Sequence, residues 1–419
     1  MSAVENEERK QAPLENRAEH ITFTNAKKED FHVTVFRPER AAAPNTPHPV
    51  LLCVHGAGMS GDSFYNLASF LERQGGPVVA TDLPPSLGHS PTRSSFTSHA
   101  KGMPPRAPSI GGSREQHSPP GPAMLRGATS VAVNALMVAN SDAEAEDIDM
   151  VVVTYDMRCH GLSTFAGGEE QLSLGVMVAD FVDVLRFVLE EVCPAGEAFV
   201  LGHSVGGSVV AHALADHKKE TKGRVSGVIL VDVVEGTAKM SLHYMNDFLR
   251  KRPGHFATVK EAQTWFLQHG GMRSAEGAAV SVPPLLTTAT VGGECVFVWR
   301  TDLQKMEHVW GGWFDELDKK FVSLPYSKML CLANADRLDT ELTVAQMQGK
   351  FQFEIIGNNC GHYIMDDATA TIAAKVRRFV KRIVVLTRKL HAVNMKAEMT
   401  ASGGLHFNNA TIPASRMPR

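Results

Sequence analysis

Cysteine is scarce in this chain, and what there is stands unpaired: Cys53, Cys159, Cys193, Cys295, Cys331 and Cys360 are scattered over 419 residues with no CxxC spacing. That distribution argues against a disulfide framework or a zinc knuckle and fits a reducing compartment. Long apolar runs are missing too. No stretch approaches the roughly 18 apolar residues that span a bilayer, and the charged, polar N-terminus has no apolar signal core. Cytosol or nucleus is the expected location, with no membrane partner. Net charge is also slight, at −3, so no field gathers nucleic acid, and none is expected as a partner. What the chain has is core-forming material. With 43% hydrophobic and 21% charged residues it can fold as one large domain with additions.

Two short alternating runs, around Ile21 to Thr24 and His32 to Phe36, flank a polar stretch and predict an antiparallel hairpin at a sheet edge. Then Pro49-Val-Leu-Leu-Cys-Val54 runs into His55-Gly56-Ala57-Gly58, as a strand buried on both faces does when it stops at a tight loop. A helix is expected from about Asp62 to Arg73. Nine of the 22 prolines then fall between Pro84 and Pro122 among Ser, Gly, His and Arg. Such a stretch cannot bury enough surface to offset its ordering entropy, so 76–147 is expected to be a disordered insertion. It holds a run, Val78 to Asp82 followed by Gly88-His89-Ser90, that mimics the better strand and turn at Met150 to Gly161.

Strand and helix alternate regularly from there. Strands are expected at Ala198 to Leu201, Val228 to Val231, Met329 to Ala333 and Phe351 to Ile356, with a final helix from about Ala368. This alternation predicts an α/β fold with a doubly wound, mostly parallel sheet. Between about 236 and 312 it lapses into amphipathic pieces, which predicts a helical cap. The main domain is thus expected at 20–75 and 148–390, between a disordered N-terminus at 1–19 and a disordered tail at 391–419.

The chemistry centres on Gly202-His203-Ser204-Val205-Gly206, a GxSxG motif with an apolar strand running into it and a helix starting after Gly206. Strand, sharp turn and helix is the context that exposes a serine nucleophile in the α/β-hydrolase fold. Without that context the motif would be an ordinary glycine-bearing turn. The base must come after the last strand, and His362, in Asn358-Asn-Cys-Gly-His362, lies there. Two aspartates are candidates to orient it. Asp336 follows the penultimate strand, where this fold usually carries its acid; Asp232 ends the strand before. Asp336 could equally be a turn-capping residue. For an oxyanion hole, the amides of Val205 and Ala57 are in the required places.

Further strings carry a resemblance. Val231-Asp232-Val-Val-Glu235-Gly-Thr-Ala238, Phe248-Leu-Arg-Lys-Arg-Pro253, Trp299-Arg300, Trp310-Gly-Gly-Trp-Phe314, Ala335-Asp-Arg-Leu-Asp339, Ala345 to Phe351 and Cys360-Gly-His362 resemble, in that order, the protein phosphatase methylesterase family. The resemblance covers about 20–75 and 148–385. It implies Asp232 as the acid, hence a triad of Ser204, Asp232 and His362, with Asp336 shaping the neighbouring pocket. It further implies hydrolysis of the methyl ester on the C-terminal leucine of the type 2A protein phosphatase catalytic subunit, with no cofactor or metal. The insertion and the C-terminal extension depart from the family pattern, as do the lack of an acidic tract in the cap and a valine where methionine commonly follows the nucleophile. Two other readings stand beside this one: a carboxylesterase for small molecules, and a non-catalytic phosphatase-binding regulator.

Overall fold

In a computed structural model, residues 18–38, 48–72 and 148–403 are described, except 166, 169, 170, 222 and 358. The expected insertion, with its strand-like run at Val78, lies outside the described residues, as do 1–17 and 404–419. Eight strands form the main sheet: β1 Ala18–Thr24, β2 Asp30–Phe36, β3 Val50–Val54, β4 Val151–Tyr155, β5 Ala198–His203, β6 Val225–Val231, β10 Ser327–Leu332 and β11 Gln352–Ile355, in the order β1-β2-β4-β3-β5-β6-β10-β11. β1 pairs antiparallel with β2 from Ala18↔Phe36 to Thr24↔Asp30, and β2 antiparallel with β4. The remaining pairs are parallel. Ala18 pairs with Phe36 and Glu19 with Val35, so the chain enters the sheet slightly before the expected start at residue 20.

Every residue of β3, β4 and β5 is buried. This explains their continuous apolar runs, because helices cover both faces. The pleat divides them: Ala198 and Val200 face the core beneath α2 (Leu174–Phe187), α3 (Val205–Asp216) and α7 (Leu317–Ser323). Phe199 and Leu201 face the opposite core, beneath α1 (Tyr65–Glu72) and α9 (Thr369–Gly403). The helix expected from Asp62 opens with a 3-10 turn, Gly61–Phe64.

Two expectations need correction. The tail was placed from 391, but α9 runs on to Gly403. Leu386 to Met399 contains strong helix formers and neither proline nor glycine, and the first glycines are Gly403 and Gly404. The cap, in turn, is not purely helical. It consists of α4 (Glu235–Lys251), α5 (Val259–Trp265), α6 (Ala275–Ser281) and a three-stranded sheet ordered β7 (His255–Phe256), β9 (Glu294–Trp299), β8 (Leu286–Val291). Thr287, Thr288, Thr290, Val296 and Val298 favour strand. Gly292 and Gly293, both at positive φ (61° and 91°), turn the two-residue hairpin. The cap has its own core of Phe256, Phe266, Met272, Val282 and Leu286. The remaining labelled helix is α8 (Thr340–Met347).

Phe379 of α9 is 1% exposed and meets Phe199 of β5 edge-on, at 6.4 Å between ring centroids. Replacing Phe379 by alanine is expected to cost about 3 to 5 kcal/mol, read as a shift in the chemical-denaturation midpoint at unchanged slope.

Candidate active site

Ser204 lies between the last residue of β5 and the first of α3, at φ 53° and ψ −126°. A non-glycine residue there costs about 1 to 3 kcal/mol, and the surrounding turn must hold it. Glycines make that turn possible. A Cβ at Gly202 would lie 2.5 Å from the Gly207 Cα, and one at Gly206 would lie 2.4 Å from the Val54 carbonyl. The Ser204 amide is anchored to the Val231 carbonyl (3.1 Å), tying the nucleophile turn to the end of β6.

The next residue on that strand is Asp232, also at positive φ (52°). Its amide bonds to the Cys331 carbonyl at 2.8 Å, and its side chain is fully buried. His362, beyond β11, donates from Nδ1 to Asp232 Oδ2 at 2.7 Å, and Arg337 Nη1 reaches the same oxygen at 2.6 Å. Burial alone would raise the carboxyl pKa. The hydrogen bond and charge of His362, with Arg337, outweigh it and hold Asp232 at about 2. The sign follows from the depressed value: the stability its ion pairs contribute is complete above the ordinary aspartate range near 4 and is lost as pH falls from there toward 2.

The structure therefore brings Ser204, His362, Asp232, Ala57 and Val205 to the wall of one cavity of about 490 Å³. Asp336 is not among its lining residues. It sits exposed in the 3-10 turn Ala335–Arg337, so the pocket-shaping role expected of it falls to the neighbouring Arg337. Asp339 caps α8 by accepting the Leu342 amide at 2.9 Å.

Sequence reasoning passed over three histidines. His55 Nε2 accepts the Met157 amide (2.9 Å), while its Nδ1 donates to the Gly56 carbonyl (2.8 Å). His160 Nε2 accepts the Gly58 amide (2.8 Å), and its Nδ1 donates to the Arg158 carbonyl (2.7 Å). Each ring thus has one donor and one acceptor nitrogen, which is the neutral form. Burial favours that form in both and pushes His160 down to about 3. Together they lock the loop after β3 onto the loop after β4. The Gly58 amide is given to His160 and that of Met59 to the Gly56 carbonyl, and Ala57, in the same loop, lines the cavity. The Val205 amide heads α3, where the helix has no acceptor for it.

His203 is the third. A carbonyl can only accept, so the 2.8 Å contact between its Nε2 and the His362 carbonyl assigns the proton to Nε2. The two rings lie 4.6 Å apart, and Nδ1 of His203 is buried without a partner. Burial first, then the nearby His362, pushes His203 down to about 3. A neutral ring thereby holds the backbone of His362 without adding charge beside it. The only sequence signal was its place before Ser204, which points to no partner.

An eight-stranded, mostly parallel sheet with a strained serine at the end of β5 and a histidine and aspartate on neighbouring loops defines a serine hydrolase of the α/β-hydrolase fold. A profile described as "Alpha/beta hydrolase family" matches residues 124–375. Among solved structures, the chain is similar to the peroxisomal alpha-beta-hydrolase Lpx1 of Saccharomyces cerevisiae (TM-score 0.53, 11% identity, 94% of this chain and all of that one). It is also similar to E-2-(acetamidomethylene)succinate hydrolase (TM-score 0.53, 12% identity, 87% of this chain and 99% of that one). At such identities they speak for the fold alone.

Closer relatives narrow the family. The chain is 34% identical over 259 residues to protein phosphatase methylesterase 1 of Schizosaccharomyces pombe, covering 62% of this chain and 74% of that protein. It is 38% identical over 231 residues to that of Yarrowia lipolytica (55% and 54%) and 31% identical over 270 residues to that of Homo sapiens (55% and 68%). The chain belongs to the α/β-hydrolase family and, within it, to the protein phosphatase methylesterase family. It spans between about half and three quarters of the length of these relatives.

Two substitutions test the acid. Asp232→Asn is expected to reduce ester turnover on the order of 10⁴-fold, as loss of the orienting aspartate does in serine proteases, while Asp336→Asn stays close to the parent. Steady-state kinetics on a chromogenic ester reads both. Two more address His203: His203→Leu, lacking the donor to His362, should lower kcat about tenfold or more, and His203→Gln, whose amide can donate, should recover most of it.

Proposed function

We propose that this chain removes the methyl ester from the C-terminal leucine of the type 2A protein phosphatase catalytic subunit, releasing methanol and a free carboxylate. The observation that carries the reading is the pairing of His362 with Asp232 (2.7 Å) in the cavity that also exposes Ser204. Asp232 and His362 lie within the strings that resemble protein phosphatase methylesterases, and that resemblance implies a triad of these two with Ser204.

Ser204 attacks the ester carbonyl as His362 takes the hydroxyl proton on Nε2. Nδ1 of His362 donates to Asp232, and this sets the tautomer that leaves Nε2 free to act as base. Charge developing on the carbonyl oxygen meets the Ala57 and Val205 amides; losing one such donor costs about 10² to 10³ in rate. His362 then returns the proton to the departing methanol. Water, activated by the same imidazole, releases the acyl group from Ser204. The apolar wall from Leu242, Met245, Phe248 and Leu249 of α4 suits a leucine side chain on the acyl side.

Incubation with carboxymethylated phosphatase, with C-terminal methylation followed by mass spectrometry, tests the reading. Methylation is expected to fall with the parent and to persist with Ser204→Ala. A protein that binds the phosphatase but leaves the ester intact would instead be a regulator. One that cleaves small esters but not the methylated phosphatase would be a small-molecule carboxylesterase.

A further inference from the structure

The cavity holds a second guanidinium that the reaction above does not use. Arg252 is the residue at which α4 stops, turned into extended backbone (φ −69°, ψ 135°) ahead of Pro253. Its Cζ lies 4.1 Å from the centroid of the Trp299 ring, a cation–π stack. Trp299 is itself held, because its Nε1 donates to the Pro253 carbonyl at 2.7 Å. The strand carrying it pairs with β7 just beyond, His255↔Val298 and Phe256↔Phe297. Ring and guanidinium are therefore fixed by the same turn of chain.

Arg252 differs from the other cations near the cavity. Arg337 is engaged by Asp232, and Lys239 by Glu235 and Asp315. Among the described residues, no carboxylate forms an ion pair with Arg252. The Asp302 carboxylate acts on it only at a distance, and its Oδ1 accepts the Gln304 amide. Around Arg252 the wall is aromatic: Trp265 lies 5.8 Å from both Phe248 and Trp299, centroid to centroid. Burial in this wall pushes the Arg252 pKa down to about 10, against the pull of Asp302 and Tyr363. A guanidinium held stiffly in a partly dry wall without a counter-ion is poised for an anion brought by a ligand.

We propose that Arg252 is a specificity-determining residue that binds a carboxylate on the acyl portion of the substrate, beyond the ester carbonyl. This rests on the methyl-ester reading in one respect: methanol is too small to carry a charge, so any anion in the substrate must lie on the acyl side. A neutral carbonyl would satisfy the donors but leave the charge uncompensated. The planar fork matches a carboxylate in two parallel hydrogen bonds.

The test uses 4-nitrophenyl half-esters of unbranched dicarboxylic acids, from succinate to suberate, each beside the neutral 4-nitrophenyl ester of an equally long monocarboxylic acid. In the parent, the kcat/KM ratio of anionic to neutral ester should rise at one chain length, through KM, and fall only modestly in high salt, because a partly buried pair is screened little. Arg252→Met should lower that ratio about 10- to 100-fold, the range for a hydrogen bond to a charged group; Arg252→Lys should keep part of it. The ratio does not depend on the fraction of folded enzyme. A parent with no preference at any length, or an Arg252→Met variant with an unchanged ratio, overturns the proposal. If methylated phosphatase is not a substrate but the anionic preference holds, the methylesterase reading fails while the assignment of Arg252 stands.

Discussion

A carboxylate buried to the last atom must be compensated, and at the end of β6 the fold supplies that compensation from three directions. His362 and Arg337 converge on Oδ2 of Asp232, and the Ala333 amide approaches Oδ1 at 3.4 Å. These groups come from the loop after β11, the turn after β10 and the end of β10 itself. The charge of Asp232 thus gathers the rim of the sheet as well as orienting the base. Its positive φ and that of Ser204 are strained conformations on adjacent strands, joined by the hydrogen bond from the Ser204 amide to the Val231 carbonyl. Strain at such points persists only where the surroundings over-determine the backbone, and here the two strained residues share those surroundings.

How much of this could be read from sequence depended on whether the signal was local. Ser204 was legible because the nucleophile turn needs glycines at set offsets between a strand and a helix. His362 was legible because it follows a late strand. The aspartate was not, since Asp232 and Asp336 both end strands that point at one rim, and the choice turns on where a side chain lies relative to the imidazole. General experience of the fold favoured Asp336, the family strings favoured Asp232, and the 2.7 Å contact is with Asp232. Arg337 was in view only as part of a shared string. The three buried histidines were passed over for a related reason, because a histidine's role follows from which nitrogen carries the proton, and its partners set that. The hairpin β8–β9 is different. Gly292-Gly293 between β-branched runs is a strong local turn signal, and it was hidden by reading the whole cap through its helical pieces.

Three of the chain's four tryptophans, Trp265, Trp299 and Trp313, line the cavity, whereas Trp310 does not. Indole emission from this protein is therefore weighted toward the walls of its active site. Trp299 emits from beneath a guanidinium, and the Trp265 ring lies 5.8 Å from that of Trp299, centroid to centroid. An occupant that draws the cation aside, or displaces water from the aromatic wall, changes the electric field and polarity that set their emission maximum. The protein thus carries an optical reporter of whether its cavity is filled, at the wavelength of its own side chains and with no label attached.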